Sequence, residues 1–476
     1  MRVYDSIAKA FVEFKPVESK RVVMYVCGLT PYDQAHIGHA RTYVAFDVLK
    51  RYLKAAGYEV LHIQNITDVD DKIINRCKQS GAQPKQLTES NHTEALVMFD
   101  KLNIQRATVY PKVTEHIPEI IEFIKKIIKN GYAYETATGV YFDVSKFANY
   151  GRLSGQKMDE IHAGSRKDVD ETKDDPADFA LWKKTNGEII EFDSPWGRGR
   201  PGWHIECSAM AGKYAKRTLD IHGGARDLIF PHHENEIAQS EAATGKQFSK
   251  YWLHTGFLTV GGEKMSKPLG NFTTIKDALQ QFSPMAMRIF YLKSHYRSPV
   301  DYDKKNIAEA GQVYEHIANT LQLVDEALAE KKDKGSFNYT DAVKEFHDAM
   351  ENDFDTPLAL AALFRLMKEL NIEISKDAID KKAVAAAKAE MQKMLDILGI
   401  TIETKGLKDR DDIVQLAAKF GVKAAKPEEA IEKLIEAREE ARNQKNYKLS
   451  DEIRTELKAV GIVLEDKKGG QRWRVE

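Results

Sequence analysis

Cysteine is scarce in this chain, with only Cys27, Cys77 and Cys207 among 476 residues. They are odd in number, far apart and never in a Cys-x-x-Cys pair, which excludes a disulfide framework and fits a reducing compartment. Long apolar runs are missing as well. No window approaches the ~18 consecutive apolar residues of a membrane span, so no membrane association is expected. Residues 1–20 mix charges with single apolar side chains, so no export signal is expected and the location reads as cytoplasmic. An excess of one charge is also lacking, with 71 Lys and Arg facing 72 Asp and Glu. No global positive field announces nucleic acid, and such a partner has to be held by local patches. There is no internal repeat. What remains is 42% hydrophobic and 30% charged, the composition of an ordinary globular protein, and too long for one core, so about three or four domains are expected.

Residues 21–28 form an unbroken β-rich run ending in Gly28, as in a buried parallel strand. From Ala40 to Ala55 apolar residues recur at helical spacing, and Gly57 closes the pattern before a second strand at Tyr58 to Ile66. Strand, helix and strand within so short a span predict a βαβ unit of a doubly wound sheet. Helices are predicted over Pro84 to Leu102 and His116 to Asn130, then a hairpin from Tyr132 to Val144 turning at Thr138-Gly139. The polar stretch from Gly151 to Pro195, charge-dense between Arg166 and Asp175, reads as an insertion with a mobile loop. Strand and helix signals return at Arg200 to Tyr214 and Leu219 to Thr244. From Asp303 onward helices dominate, with a linker at Thr401 to Asp412 and a final small helical module bearing a basic tip.

Two loops point to phosphate chemistry. His36-Ile-Gly-His39 opens the first helix, where free N–H groups and positive potential favour an anion, and Gly38 allows close approach. Lys264-Met-Ser-Lys267-Pro-Leu-Gly-Asn271, preceded by Gly261-Gly262, offers two mobile cations that can clamp a polyphosphate. Alone, the first could be a helix start and the second a solvated basic turn; together they point to nucleotide chemistry. A third constellation is metal-like. Cys27 ends the first strand, Cys207 ends Gly202-Trp-His-Ile-Glu-Cys207, and His232 and Glu236 lie four apart in Phe230-Pro-His-His-Glu-Asn-Glu236. Thiolates, imidazole and carboxylate are tetrahedral zinc donors, but His233, Glu234, His204 and Glu206 compete and spacing does not choose.

The paired loops resemble the signatures of class I aminoacyl-tRNA synthetases, and the thiol-bearing motifs match those of cysteinyl-tRNA synthetases residue by residue. Pro268 stands where that family usually has Ser after the second lysine, a change that leaves both lysines in place. The resemblance runs from the first strand to the final Trp-Arg. It implies an α/β fold: a split Rossmann-type, doubly wound parallel sheet with an insertion, then an all-α bundle and a small C-terminal module. The implied divisions are 1–115 and 199–260 as halves of the catalytic domain, 116–198 as connective insertion, 261–305 as lysine loop and stem-contact region, 306–400 as bundle and 401–476 as anticodon-recognition module.

The same resemblance implies an ATP-dependent ligase that activates L-cysteine and transfers it to the terminal ribose of tRNA(Cys). Its catalytic residues would be His36, His39, Lys264 and Lys267, with ATP held by His36, Gly38, His39, Gly223, Asp227 and Lys267. Thr67 and Trp203 would line the cysteine pocket. One Zn2+ per chain would sit on Cys27, Cys207, His232 and Glu236, and Mg2+ would accompany ATP. A metal that binds sulfur as thiolate rejects serine without an editing domain. Arg472, Trp473 and Arg474 would meet tRNA by phosphate contact and stacking. A monomer is expected. Two alternatives stand beside this reading: a paralogous ligase that transfers cysteine to an amino sugar, and a catalytically silent tRNA-binding scaffold.

Overall fold

The computed structural model describes residues 1–156, 172–265, 271–402, 410–467 and 470–475, which fall into two compact units, Met1–Thr401 and Ile402–Glu476. Most of the charge-dense 166–175 segment and of the 401–412 linker lies outside the described residues.

The first unit opens with a hairpin, β1 (Arg2–Asp5) and β2 (Ala10–Glu13), before β3 (Arg21–Leu29). Alternation is absent from β3 because both its faces are covered, and residues 22–27 are all buried. Helix α1 (Ile37–Ala55) and strand β4 (Glu59–Ile66) complete the expected βαβ unit, with β3 and β4 parallel. Helices α2 (Asp71–Ser80), α3 (Pro84–Lys101) and α4 (Ile117–Lys129) follow. The predicted hairpin is β5 (Ala133–Glu135) and β6 (Gly139–Phe142), extended by β7 (Phe179–Lys184) and β8 (Gly199–Pro201) into an antiparallel sheet in that order. Helix α5 (Ile205–Ala215) leads to β9 (Leu219–Ala225), α6 (Glu234–Thr244) and β10 (Ser249–Thr255). The chain thereby re-enters the first sheet, whose order is β10-β9-β3-β4, all parallel. The carboxyl ends of β3 and β9 lie side by side, which is where an open parallel sheet forms its ligand crevice.

Beyond the sheet come β11 (Leu258–Val260), β12 (Glu263–Lys264), α7 (Ile275–Gln281), α8 (Pro284–Leu292) and β13 (Val300–Asp301). The helical region contains α9 (Lys304–Glu330), α10 (Thr340–Glu351), α11 (Thr356–Ile374) and α12 (Lys381–Leu398), with two-residue strands β14 (Lys332–Asp333) and β15 (Ala378–Ile379) pairing between them.

The second unit packs α13 (Asp411–Lys419), α14 (Pro427–Asn443) and α15 (Tyr447–Ala459) around Ile413, Leu416, Ile431, Leu434, Ile453 and Leu457. Its end corrects the expectation of an all-helical module. The basic tip lies on a β-hairpin of β16 (Ile462–Lys467) and β17 (Gly470–Val475). Ile462 and Leu464 alternate inward, and Trp473 pairs opposite Leu464 and packs against that core. A side chain expected to be exposed for stacking is thus held by the module's own interior.

A buried histidine on β4 gives a pH dependence. His62 is 6% exposed and neither ring nitrogen has a hydrogen-bond partner among the described residues. Burial, helped by the Lys50 charge, pulls its pKa from 6.5 to about 3. The folded value lies below the unfolded one, so this contribution to stability is complete above pH 6.5 and is lost as pH falls toward about 3. Each pH unit across that window removes up to ~1.4 kcal/mol. His62→Leu is therefore expected to flatten the acid limb of a plot of unfolding midpoint against pH, leaving neutral pH little changed.

Candidate functional site

The first signature is built by the start of α1. His36 is the N-cap residue, and its Nδ1 accepts from the N–H groups of Gly38 at 3.1 Å and His39 at 3.3 Å. His39 Nδ1 accepts in return from the His36 N–H at 3.2 Å, so the two imidazoles form a reciprocal capping box with rings stacked 3.5 Å apart. Burial and the neighbouring His36 hold His39 well below its usual pKa, so its ring is neutral. A neutral imidazole that accepts at Nδ1 carries its proton on Nε2. The capping geometry therefore puts the ring proton of a neutral His36 or His39 on Nε2. Space at Gly38 is tight, since a Cβ there would lie 3.0 Å from the His36 ring, with Met265 Cε 3.7 Å away.

Met265, within the lysine-bearing segment, therefore lies near the His36–His39 turn. The chain after the lysine loop is also laid against α1's entry: Phe272 meets His36 edge-on at 5.4 Å, the Ile37 N–H donates to Thr273 O, and the Ile275 N–H donates to Ala35 O. Lys264 ends β12, and its side chain, like the whole of Lys267, lies outside the described residues.

At the carboxyl end of β3 lies a buried cluster of two cysteines, three histidines and a glutamate. Two overlapping groups place their ligand atoms within 4.8 Å of one another: Cys27, Cys207, His232 and Glu236, and Cys27, His222, His233 and Glu236. Neighbouring donors stand at 3.0 Å (His232 Nε2 to Glu236 Oε1), 3.6 Å (Cys207 Sγ to His232 Nε2; Cys27 Sγ to Glu236 Oε1) and 3.3 Å (Cys27 Sγ to His233 Nε2). A tetrahedron with bonds of ~2.0–2.3 Å separates its corners by ~3.3–3.8 Å, so three of these four separations lie in the range of a zinc site, the His232–Glu236 pair is closer, and the donor types suit zinc. The electrostatics agree. Burial would depress His232, but Glu236 and Cys207 together outweigh it and raise the ring to about 10. Burial would raise Glu236, but His222 and His232 hold it at about 2. Burial raises the Cys27 thiol, whereas at Cys207 hydrogen bonds from Cys27 and His232 outweigh burial and bring it to about 6. One thiolate is therefore already favoured before any metal enters.

The structure also disposes of some competitors. Glu234 turns away and accepts from the N–H groups of Gly151, Leu153 and Ser154, anchoring the insertion to the metal helix. His204 Nδ1 sits 2.9 Å from His232 Nδ1, on the ring edge opposite the cluster. Glu206 pairs with Thr67. His233 remains in the cluster. His222, on β9, was not among the competitors named from sequence; its Nε2 lies 3.3 Å from Glu236 Oε2. Only the strand pairing of β9 with β3 brings it there.

Thr67, just past β4, is buried at the cluster's flank, and Trp203, 39% exposed, stacks on His232 at 4.5 Å. Gly223 lies within β9 with the Phe46 ring where a Cβ would stand, 2.2 Å away. Asp227 occupies the short turn after β9. Arg472, Trp473 and Arg474 lie on β17 in the other unit.

Residues 13–312 match the model of the class I (C) tRNA synthetase catalytic domain, 345–403 the DALR domain and 427–474 the cysteinyl-tRNA ligase anticodon binding domain. A cysteine–tRNA ligase of Thermococcus onnurineus is 47% identical, covering 100% of this chain and 99% of that protein. One of Carboxydothermus hydrogenoformans is 45% identical with both chains covered in full. A solved Mycobacterium tuberculosis methionyl-tRNA synthetase in complex with methionyl-adenylate superposes with a TM-score of 0.60 over 80% of this chain and 89% of its own, at 16% identity, a likeness of fold alone. With identity sustained end to end and the catalytic model spanning well over half its length, this chain belongs to the cysteine–tRNA ligases, within the class I aminoacyl-tRNA synthetases.

Proposed function

We propose that this protein activates L-cysteine with Mg-ATP and transfers it to the terminal ribose of tRNA(Cys), in one crevice at the carboxyl edge of the parallel sheet. The observation that carries the reading is the buried thiol, imidazole and carboxylate cluster at the carboxyl end of β3, in the same unit as the His36–His39 turn that opens α1. Cys27, Cys207, His232 and Glu236 would hold one zinc ion, with His222 and His233 as neighbours that orient them. When bound, the zinc would favour a substrate side chain that ligates as thiolate, which a serine hydroxyl matches poorly.

The rest falls to the chain's own groups. His36 and His39 present Nε2–H donors to the phosphates where charge develops, and the α1 terminus adds its backbone N–H groups. Lys264 and Lys267 supply mobile positive charge to the leaving pyrophosphate. Thr67 and Trp203 wall the amino-acid pocket, and Gly223 and Asp227 bound the nucleotide side. No protein nucleophile is needed, because the cysteine carboxylate attacks the α-phosphate and a tRNA hydroxyl later attacks the adenylate. The second unit, with Arg472 and Arg474 on its hairpin, is the tRNA-reading module; Trp473 supports that hairpin from within. An amino-sugar acceptor is not favoured, since relatives named as tRNA ligases match through the final hairpin.

The test is pyrophosphate exchange from ATP with cysteine, with serine as control, before and after zinc removal, followed by charging of tRNA. Exchange that needs both cysteine and zinc is expected. Exchange equally well supported by serine, or untouched by complete zinc removal, sinks the reading.

A further inference from the structure

Between the two thiol donors runs a chain of three polar side chains, of which the proposed chemistry gives a task only to Thr67, as a wall of the amino-acid pocket. Asn65 Oδ1 accepts from the Gly28 N–H at 2.8 Å, Asn65 Nδ2 donates to Thr67 Oγ1 at 3.1 Å, and Thr67 Oγ1 donates to Glu206 Oε2 at 3.2 Å. Gly28 follows Cys27 on β3 and Glu206 precedes Cys207 on α5, so the chain ends one residue from each sulfur. Its members are buried, with Asn65 at 2%, Thr67 at 3% and Glu206 at 1% exposure. At Gly28 the contact is so close that a Cβ would fall 1.6 Å from Asn65 O, which locks the β3 end of the chain in register.

Glu206 is the costly member. Its Oε1 has no partner among the described residues, so the Thr67 hydroxyl is what holds this buried carboxyl group. A side chain retained only to fill space would be apolar, because a half-satisfied buried polar group is unfavourable. Thr67 Oγ1, with one proton to give and lone pairs to receive, can serve both neighbours only in the orientation that points its hydrogen at Glu206.

We propose that Glu206 is a positioning residue that acts through Thr67 and Asn65 to set the spacing of Cys27 and Cys207, and so tunes the pocket to a thiol. The inference rests on the cysteine site proposed above, and it assigns Glu206 no contact with substrate. Support from outer partners of metal ligands typically changes affinity or activity by ~10–100-fold.

The experiment uses the full chain with two matched pairs, Glu206→Ala against Glu206→Gln and Thr67→Val against Thr67→Ser. The first of each pair removes the hydrogen bond and the second keeps one. Cobalt(II) is substituted for zinc and its absorption bands recorded without substrate, and KM for cysteine and kcat are measured by pyrophosphate exchange. Glu206→Ala is expected to shift the cobalt bands and raise KM for cysteine about tenfold with kcat within about twofold, and Thr67→Val to shift the substrate-free cobalt bands, while Gln and Ser recover most of these changes. Cobalt bands and KM unchanged in the Ala and Val variants would overturn the proposal. So would equal losses in both members of each pair, which would mean packing alone. Should Glu206→Ala fail to fold, the Thr67 pair decides by its substrate-free cobalt bands, because Thr67 also walls the amino-acid pocket. If the wild-type protein shows no cysteine-dependent exchange, the parent reading falls, and the substrate-free cobalt spectra still judge the tie between the cysteines.

Discussion

Cysteine-dependent pyrophosphate exchange is expected to fall by on the order of a thousandfold or more in Cys207→Ser, well beyond the ~10–100-fold typical of losing an outer partner of a metal ligand. Cys207 is the donor whose environment favours thiolate, at about 6, and its Sγ stands 3.6 Å from His232 Nε2. A serine hydroxyl at that place keeps the volume and loses the anionic sulfur, and with it the soft donor that zinc prefers. The variant should fold, because Cys207 is a small side chain in the first turn of α5. Zinc content per chain, read by atomic emission beside the exchange assay, should drop in parallel. A Cys207→Ser protein that keeps its zinc and its activity would move the site to the other overlapping group, Cys27, His222, His233 and Glu236.

The largest stability effect is expected at Arg288 on α8. Its guanidinium is fully buried and donates from Nε to Leu398 O at 2.7 Å, from Nη1 to Leu102 O at 2.8 Å and to Asn103 O at 3.1 Å, and from Nη2 to the Asp47 carboxylate. Asp47 also receives Arg51 Nε and the Gln105 N–H, both at 2.8 Å, and although burial works against it, Arg288 and Arg51 keep its carboxyl below the ordinary range. One planar group thus joins α1, the ends of α3 and α12, and α8. Gly399 makes room for it, since a Cβ there would stand 2.1 Å from Nη2. Removing one partner of a buried pair typically costs ~3–5 kcal/mol, and Arg288→Met should cost that much. Arg288→Lys should recover little, because a single ammonium cannot span a carboxylate and three carbonyls at once. Urea unfolding followed by circular dichroism measures both. A Met variant within about 1 kcal/mol of wild type would refute the account, that being the loss of a single ordinary hydrogen bond.

Much of this was legible in the sequence. The β3–α1–β4 unit, the β5–β6 hairpin and the helical region announce themselves through local periodicity and turn residues, and local signals need no knowledge of distant partners. The motif residues were legible as chemistry for the same reason, being clustered in short strings. What escaped was whatever depends on partners far along the chain. His222 enters the metal cluster only because β9 lies beside β3, two hundred residues apart, roughly, and nothing in its own neighbourhood says so. Glu234 looked like a ligand by its place between His233 and Glu236, yet it faces the 151–154 backbone. Trp473 looked free because basic residues surround it, whereas its opposition to Leu464 across a hairpin turns it inward. Arg288 sits in an apolar helix with no local sign of the carbonyls it collects.

The reciprocal cap at the start of α1 has a consequence for substitution. His36 and His39 give their Nδ1 lone pairs to hold the helix start, and under the function proposed above their Nε2–H groups serve the phosphates. Asparagine or aspartate would cap as well but bring no ring N–H, and an arginine would bring donors but no lone pair to cap with. Under that proposal folding and chemistry draw on opposite edges of the same two rings, so replacing either is expected to cost one or the other.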